Sequence, residues 1–153
     1  MENEIGKILT EKNLTIACAE SCTGGLLTSR LTDIAGSSNY VKGSIVCYSN
    51  EVKNKILHVD AETLKNFGAV SEQTARQMSA NVRKIINTDI GVGVTGIAGP
   101  GGGTADKPVG TVYISVSNAD KTFVKLFNFN GTRTEIKNQS CDAALTMIKE
   151  FIN

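Results

Sequence analysis

Ser21 and Cys22 stand side by side in the stretch AESCTGG, residues 19–25, and either could attack an electrophilic carbon. The stretch follows an apolar run and precedes an amphipathic one, so a helix is expected to start just after it. The first N–H groups of a helix have no intrahelical acceptor and favour negative charge, which suits a developing oxyanion. The same residues also read as a plain helix cap in which Gly24 and Gly25 permit a tight turn. The pattern is not G-x-S-x-G, so hydrolase-elbow reasoning carries over by shape alone. A thiol at a helix start has a lowered pKa and needs less help from a base, so the turn leaves serine and cysteine both open as nucleophiles.

A serine needs a base, and His58 is the only imidazole in the chain. It is followed by Val59 and Asp60 at an expected helix exit, where a solvated or capping histidine is the commoner role. Lysine is the alternative. Lys53 lies five residues after Tyr48 and falls in the first turn of an expected short helix. The positive end of that helix, together with burial, would lower its pKa from the usual value of about 10.4. A neutral amine could then take the serine proton. Read singly, Lys53 is a solvated surface lysine, Lys55 a decoy of the same kind, and Tyr48 a packing aromatic at a strand end. A phenol at Tyr48 could also relay or orient a proton.

The stretch TGIAGPGGGTADKP, residues 95–108, offers many backbone N–H groups with few side chains in the way, which suits a phosphate or carboxylate. It is neither a Walker A sequence nor a dinucleotide fingerprint after the first strand. A flexible surface loop is the plainer reading, although loops of this length usually have a role.

The elements that must position these groups follow from periodicity. Ile5, Ile8 and Leu9 mark a first helix, and LTIACA (14–19) is a short buried strand. Leu26, Leu27, Leu31 and Ile34 recur at helical spacing, with Gly36 ending that helix. YVKGSIVCY (40–48) is a second strand, SNEVKNKIL (49–57) a short helix, and another short helix follows Asp60. Ser71 caps a longer helix whose buried stripe is Ala75, Met78, Val82, Ile85 and Ile86. DIGVGVTG (89–96) is a strand, VGTVYISVS (109–117) and TFVKLFNF (122–129) form an antiparallel hairpin, and the capping box at Thr132 and Glu135 opens a long last helix. Helices alternating with hydrophobic strands imply a mixed sheet between helical layers, with ligands at the carboxyl ends of the strands. The clusters at residues 21–25, 48–50 and 95–103 all fall there.

With 153 residues and 41% hydrophobic content, the chain fits one domain, residues 1–153. Sixteen basic and fifteen acidic residues give a net charge of +1, so no global field attracts nucleic acid or an anionic membrane, and any anion must be held locally. No apolar stretch approaches the roughly 20 residues of a membrane helix, and the start MENEIGKILTEKN is unlike a signal peptide, so a cytoplasmic location is expected. The four cysteines, Cys18, Cys22, Cys47 and Cys141, lack CxxC or zinc-ribbon spacing and are expected to be buried thiols.

Taken together, AESCTGG, YSNEVK, GAVS, TGIAGPGGG and KPVGTVY resemble the carboxy-terminal domain of the CinA family and its stand-alone relatives, the nicotinamide-nucleotide amidases, over about residues 3–150. The resemblance implies an α/β protein, a three-layer α/β/α sandwich with a mixed, largely parallel sheet. It implies hydrolysis of the carboxamide of nicotinamide mononucleotide to nicotinate mononucleotide and ammonia, with no metal and no cofactor. Ser21 falls on the family's nucleophile, Lys53 on its lysine and Tyr48 on its tyrosine. Substrate contacts are expected from Glu20, Cys22, Thr23 and Gly24 in the serine turn and from Asn50. Thr95, Gly96, Gly99, Gly101 and Gly102, with Arg133, are expected to hold ribose and phosphate, although Arg133 could equally serve the capping turn. Larger family members carry a further amino-terminal domain with nucleotide pyrophosphatase activity, for which these residues have no counterpart. The expected partners are a small pyridine nucleotide and further copies of the chain as a homo-oligomer, with neither nucleic acid nor membrane. Two other classes stand beside this one: a non-catalytic nucleotide-binding or regulatory module of the same fold, and phosphoryl transfer, which the lack of a P-loop and magnesium arrangement weakens.

Overall fold

The computed structural model describes residues 1–153. Helix α1 (Glu2–Glu11) leads into strand β1 (Ile16–Glu20), then α2 (Leu26–Thr32), a 3-10 turn (Ser37–Asn39) and β2 (Val41–Val46). Three helices follow, α3 (Asn50–Lys55), α4 (Ala61–Phe67) and α5 (Glu72–Ile86), before β3 (Ile90–Gly96). The hairpin β4 (Thr111–Ser117) and β5 (Thr122–Asn128) and the long α6 (Arg133–Ile152) complete the chain. The sheet order is β2-β1-β3-β4-β5, with β2, β1 and β3 parallel and β4 antiparallel to both its neighbours. Only β4 therefore runs against the others. No helix is long and apolar enough to cross a membrane.

The two sides of β1 explain the layers. Ile16 and Cys18 face a large apolar cluster shared with α1, α2 and α6, whereas Ala17 and Ala19 face a smaller one with Leu57, Val59, Met78 and Val82. The second side makes up for its small cluster by close approach. A Cβ on Gly91 would overlap the Ser79 carbonyl of α5, and one on Gly93 would meet the Ala75 carbonyl at 2.9 Å. Hydroxyls fill the seam: Ser79 and Ser117 lie 2.6 Å apart, and Ser115 donates to the Ala75 carbonyl. Such packing leaves α5 little freedom to shift against β3.

Ser71 caps α5 by accepting the Thr74 N–H, and Thr132 and Glu135 form the full capping box of α6, as their spacing predicts. Two helix details depart from the periodicity. Helix α2 stops at Thr32, and Gly36, at φ +86°, opens the 3-10 turn instead of capping that helix, so Ile34 lies outside it. Ile85 is exposed, because the buried face of α5 runs through Thr74, Met78 and Val82 to the half-buried Ile86, about 100° round the helix from Ile85. All four cysteines are buried free thiols.

Candidate active site

The ends of β1, β2 and β3 converge because the chain passes from β1 to β2 through α2 on one face of the sheet, and from β2 back across β1 to β3 through α5 on the other. That switch point is where open α/β sheets leave a crevice. A cavity of about 220 Å³ opens there, lined by Ser21 and Cys22 after β1, Tyr48, Asn50 and Lys53 after β2, Thr95 and Gly96 at the end of β3, and Arg133 of α6.

At its base, Lys53 Nζ lies 2.9 Å from Ser21 Oγ and 2.8 Å from the Cys47 carbonyl oxygen. Ser49 caps α3 by accepting the Val52 N–H, which turns the next residue, Lys53, inward. The Lys53 side chain is almost fully buried, at 1% exposure, and no carboxylate pairs with it. Burial pulls its pKa below the usual lysine value. The helix is only six residues long, so desolvation is the cause that counts, rather than the helix dipole. The Cys47 carbonyl can only accept, so one amine proton goes there; a neutral amine then has its lone pair free for the Ser21 hydroxyl proton.

The first N–H groups of the helix are not free, contrary to the expectation for a helix start. Helix α2 begins five residues after Ser21, and the N–H groups of Leu27 and Thr28 are taken, at 2.9 Å each, by the two carboxylate oxygens of Glu20. Thr28 Oγ1 adds a 2.6 Å bond to the same carboxylate. Glu20, fully buried, is therefore a structural cap of α2 and not a substrate contact. The N–H groups of Cys22 and Thr23 in the turn donate to no other residue of the chain.

Cys22 lines the cavity, but burial pushes its thiol up to about 12, so the depressed pKa open to a helix-start cysteine is absent. Thr23 is fully buried with its hydroxyl unpartnered and does not line the cavity. Gly24, at φ +62°, shapes the turn without lining the cavity. Tyr48 does reach it, 62% exposed, but its hydroxyl accepts a 2.7 Å bond from Arg133 rather than meeting Lys53 or Ser21, so a proton relay through the phenol is not built. Arg133 donates at 2.6 Å to the Gly99 carbonyl, tying the glycine loop to the lip of the cavity. Thr95 lines the wall while donating to the Ala69 carbonyl at 2.8 Å. Gly99 joins only through that carbonyl, and Gly101 and Gly102 are exposed outside the cavity, where the loop turns away after Gly99. His58 is exposed and elsewhere, at φ +59°.

Ala69, Val70 and Ala98 line the cavity without having been singled out. The signal for the first two was the GAVS stretch, where the Ser71 and Thr74 hydroxyls both donate to the carbonyl of Gly68, itself at φ +80°. That turn presents backbone and small apolar side chains, which carry no chemical signature of their own.

The fold and site define a three-layer α/β protein with a hydroxyl–amine pair at the switch point of its sheet. The chain belongs to the CinA C-terminal domain family, whose pattern matches residues 1–152. It is 46% identical to a CinA-like protein of Syntrophus aciditrophicus over 99% of this chain and 36% of that protein. It is 49% identical to a CinA-like protein of Endomicrobium trichonymphae over 94% of this chain and 34% of that protein. The chain thus spans about a third of the length of these curated relatives. The crystal structure of the competence/damage inducible protein CihA from Agrobacterium tumefaciens superposes with a TM-score of 0.97 at 40% identity, covering 99% of this chain and 93% of that one.

Proposed function

We propose that the chain hydrolyses the carboxamide of nicotinamide mononucleotide to nicotinate mononucleotide and ammonia. The observation that carries this reading is the 2.9 Å approach of a buried amine without a counter-ion to the Ser21 hydroxyl at the base of a cavity. Ser21 Oγ adds to the amide carbon as its proton passes to Lys53, and the oxyanion meets the turn N–H groups of Cys22 and Thr23. Lys53 returns the proton to the departing nitrogen, which leaves as ammonia and breaks the C–N bond. Water, deprotonated by the same amine, then adds to the acyl-serine, and the released hydroxyl regains its proton. The cavity is smaller than the roughly 300–1,000 Å³ of most ligand pockets, so it suits the pyridinecarboxamide ring, with ribose and phosphate running out past Tyr48, Asn50 and Arg133.

Ammonia release from nicotinamide mononucleotide by the purified chain, compared with Ser21→Ala and Cys22→Ala, tests the reading. The unaltered chain and Cys22→Ala turn over, and Ser21→Ala does not. Loss of turnover in Cys22→Ala alone contradicts the assignment of the nucleophile. Nucleotide binding without ammonia in the unaltered chain points instead to a non-catalytic module.

A further inference from the structure

We propose that Lys137 is the residue by which this site selects substrates bearing a phosphomonoester, holding the phosphate just outside the cavity that receives the carboxamide ring. The proposal rests on the amidase reading above for the identity of the ring, and on three observations for the phosphate.

Lys137 is half-buried and has neither a hydrogen bond nor an ion pair, whereas every other basic residue of this chain that is buried or half-buried has at least one acceptor. A partly desolvated ammonium without an acceptor is an unfavourable arrangement that a bound anion would relieve. Its position is the second observation. The ammonium lies 3.8 Å from the point where a Cβ on Gly24 would stand, against the turn that carries Ser21.

The third observation is its neighbour. Arg133 lies one helical turn earlier on the same face of α6 and lines the cavity. Both acceptors of Arg133, the Gly99 carbonyl and the Tyr48 hydroxyl, are uncharged, and no carboxylate pairs with Arg133 or Lys137. Two cations without a carboxylate partner therefore stand one turn apart on α6, Arg133 in the cavity lining and Lys137 outside it beside the serine turn, in a chain whose net charge is only +1. A ring seated at Ser21 would send its ribose phosphate out past Arg133 toward Lys137. Lys137 is a specificity residue, since it reaches the phosphate and not the reacting carbon.

The test is steady-state ammonia release by the full chain carrying Lys137→Gln, with Lys137→Arg as the charge-preserving variant and Lys84→Gln as a control for removing an exposed lysine elsewhere. Nicotinamide mononucleotide and its dephosphorylated nucleoside are the two substrates. Lys137→Gln is expected to raise KM for the nucleotide about tenfold or more with kcat little changed, to leave KM for the nucleoside as it was, and to be largely rescued by arginine. An unchanged KM for the nucleotide, or an equal rise for both substrates, overturns the proposal. Calorimetric binding of the same two compounds to the Ser21→Ala protein, with and without Lys137→Gln, gives the discrimination without turnover. A tenfold loss of nucleotide affinity there, in a chain that releases no ammonia, upholds Lys137 and rejects the amidase reading. Turnover of the nucleotide with no response to Lys137→Gln does the reverse.

Discussion

An ammonium at Lys53 would have two uncharged oxygens for company and no carboxylate, so protonating it costs the folded state free energy. The direction of its pKa, lowered by burial, fixes the sign of two pH effects. On the proposed mechanism the free amine is the working form, so kcat/KM is expected to fall as pH drops through the lowered pKa of Lys53 and to level off above it. Stability responds in the window between that value and the ordinary lysine value of about 10.4, where the unfolded chain binds a proton that the folded chain does not, so unfolding free energy rises with pH across it. Lys53→Met should abolish turnover by a factor of about 10²–10⁴ or more and remove this rise from the unfolding curve. A variant that keeps the pH–rate limb would show that the base is another group. Ser21 and Lys53 were visible in the sequence because a chain with one histidine leaves lysine as the alternative base, and because the family resemblance falls on both residues. It could not show where the Tyr48 hydroxyl points, since its partner Arg133 is 85 residues away in the chain.

At the scale of elements, the serine turn is held by Glu20, which reaches past the whole turn to fix the first N–H groups of α2. Glu20 was legible as a polar residue beside the nucleophile but not as a cap, because caps are normally sought at the residue before the helix, here Gly25. Glu20→Ala leaves the buried Leu27 N–H and the partly buried Thr28 N–H and hydroxyl without their acceptor, and should cost about 2 kcal/mol or more in urea unfolding, with kcat falling as the turn loosens. Gly101→Ala is the matched control: nothing lies within 4 Å of the added methyl, so stability and activity should both hold. A Glu20→Ala protein as stable as the unaltered chain that nevertheless loses nucleotide turnover, or a Gly101→Ala protein that loses it, would return that residue to the role expected from the sequence. The strands and the caps at Ser71 and Thr132 followed from local pattern. The premature end of α2 and the exposure of Ile85 depend on which face a neighbouring element covers, which spacing alone leaves open.

At the scale of the molecule, no local feature brings Lys53 to Ser21. Residues 21 and 53 meet because β2 and β3 flank β1 while their connections cross on opposite faces, and the glycine and serine seam under α5 holds that crossing tight. The lowered pKa of this amine is a property of the assembled fold and should return to the ordinary value when the chain unfolds. Side-chain NMR of ε-labelled lysines followed across pH, with Lys53→Met assigning the signal, measures this directly. In the folded chain one lysine, Lys53, should titrate below all the exposed lysines, and in urea it should join them near the ordinary value of about 10.4. A Lys53 signal that titrates with the surface lysines in the folded protein would contradict the account.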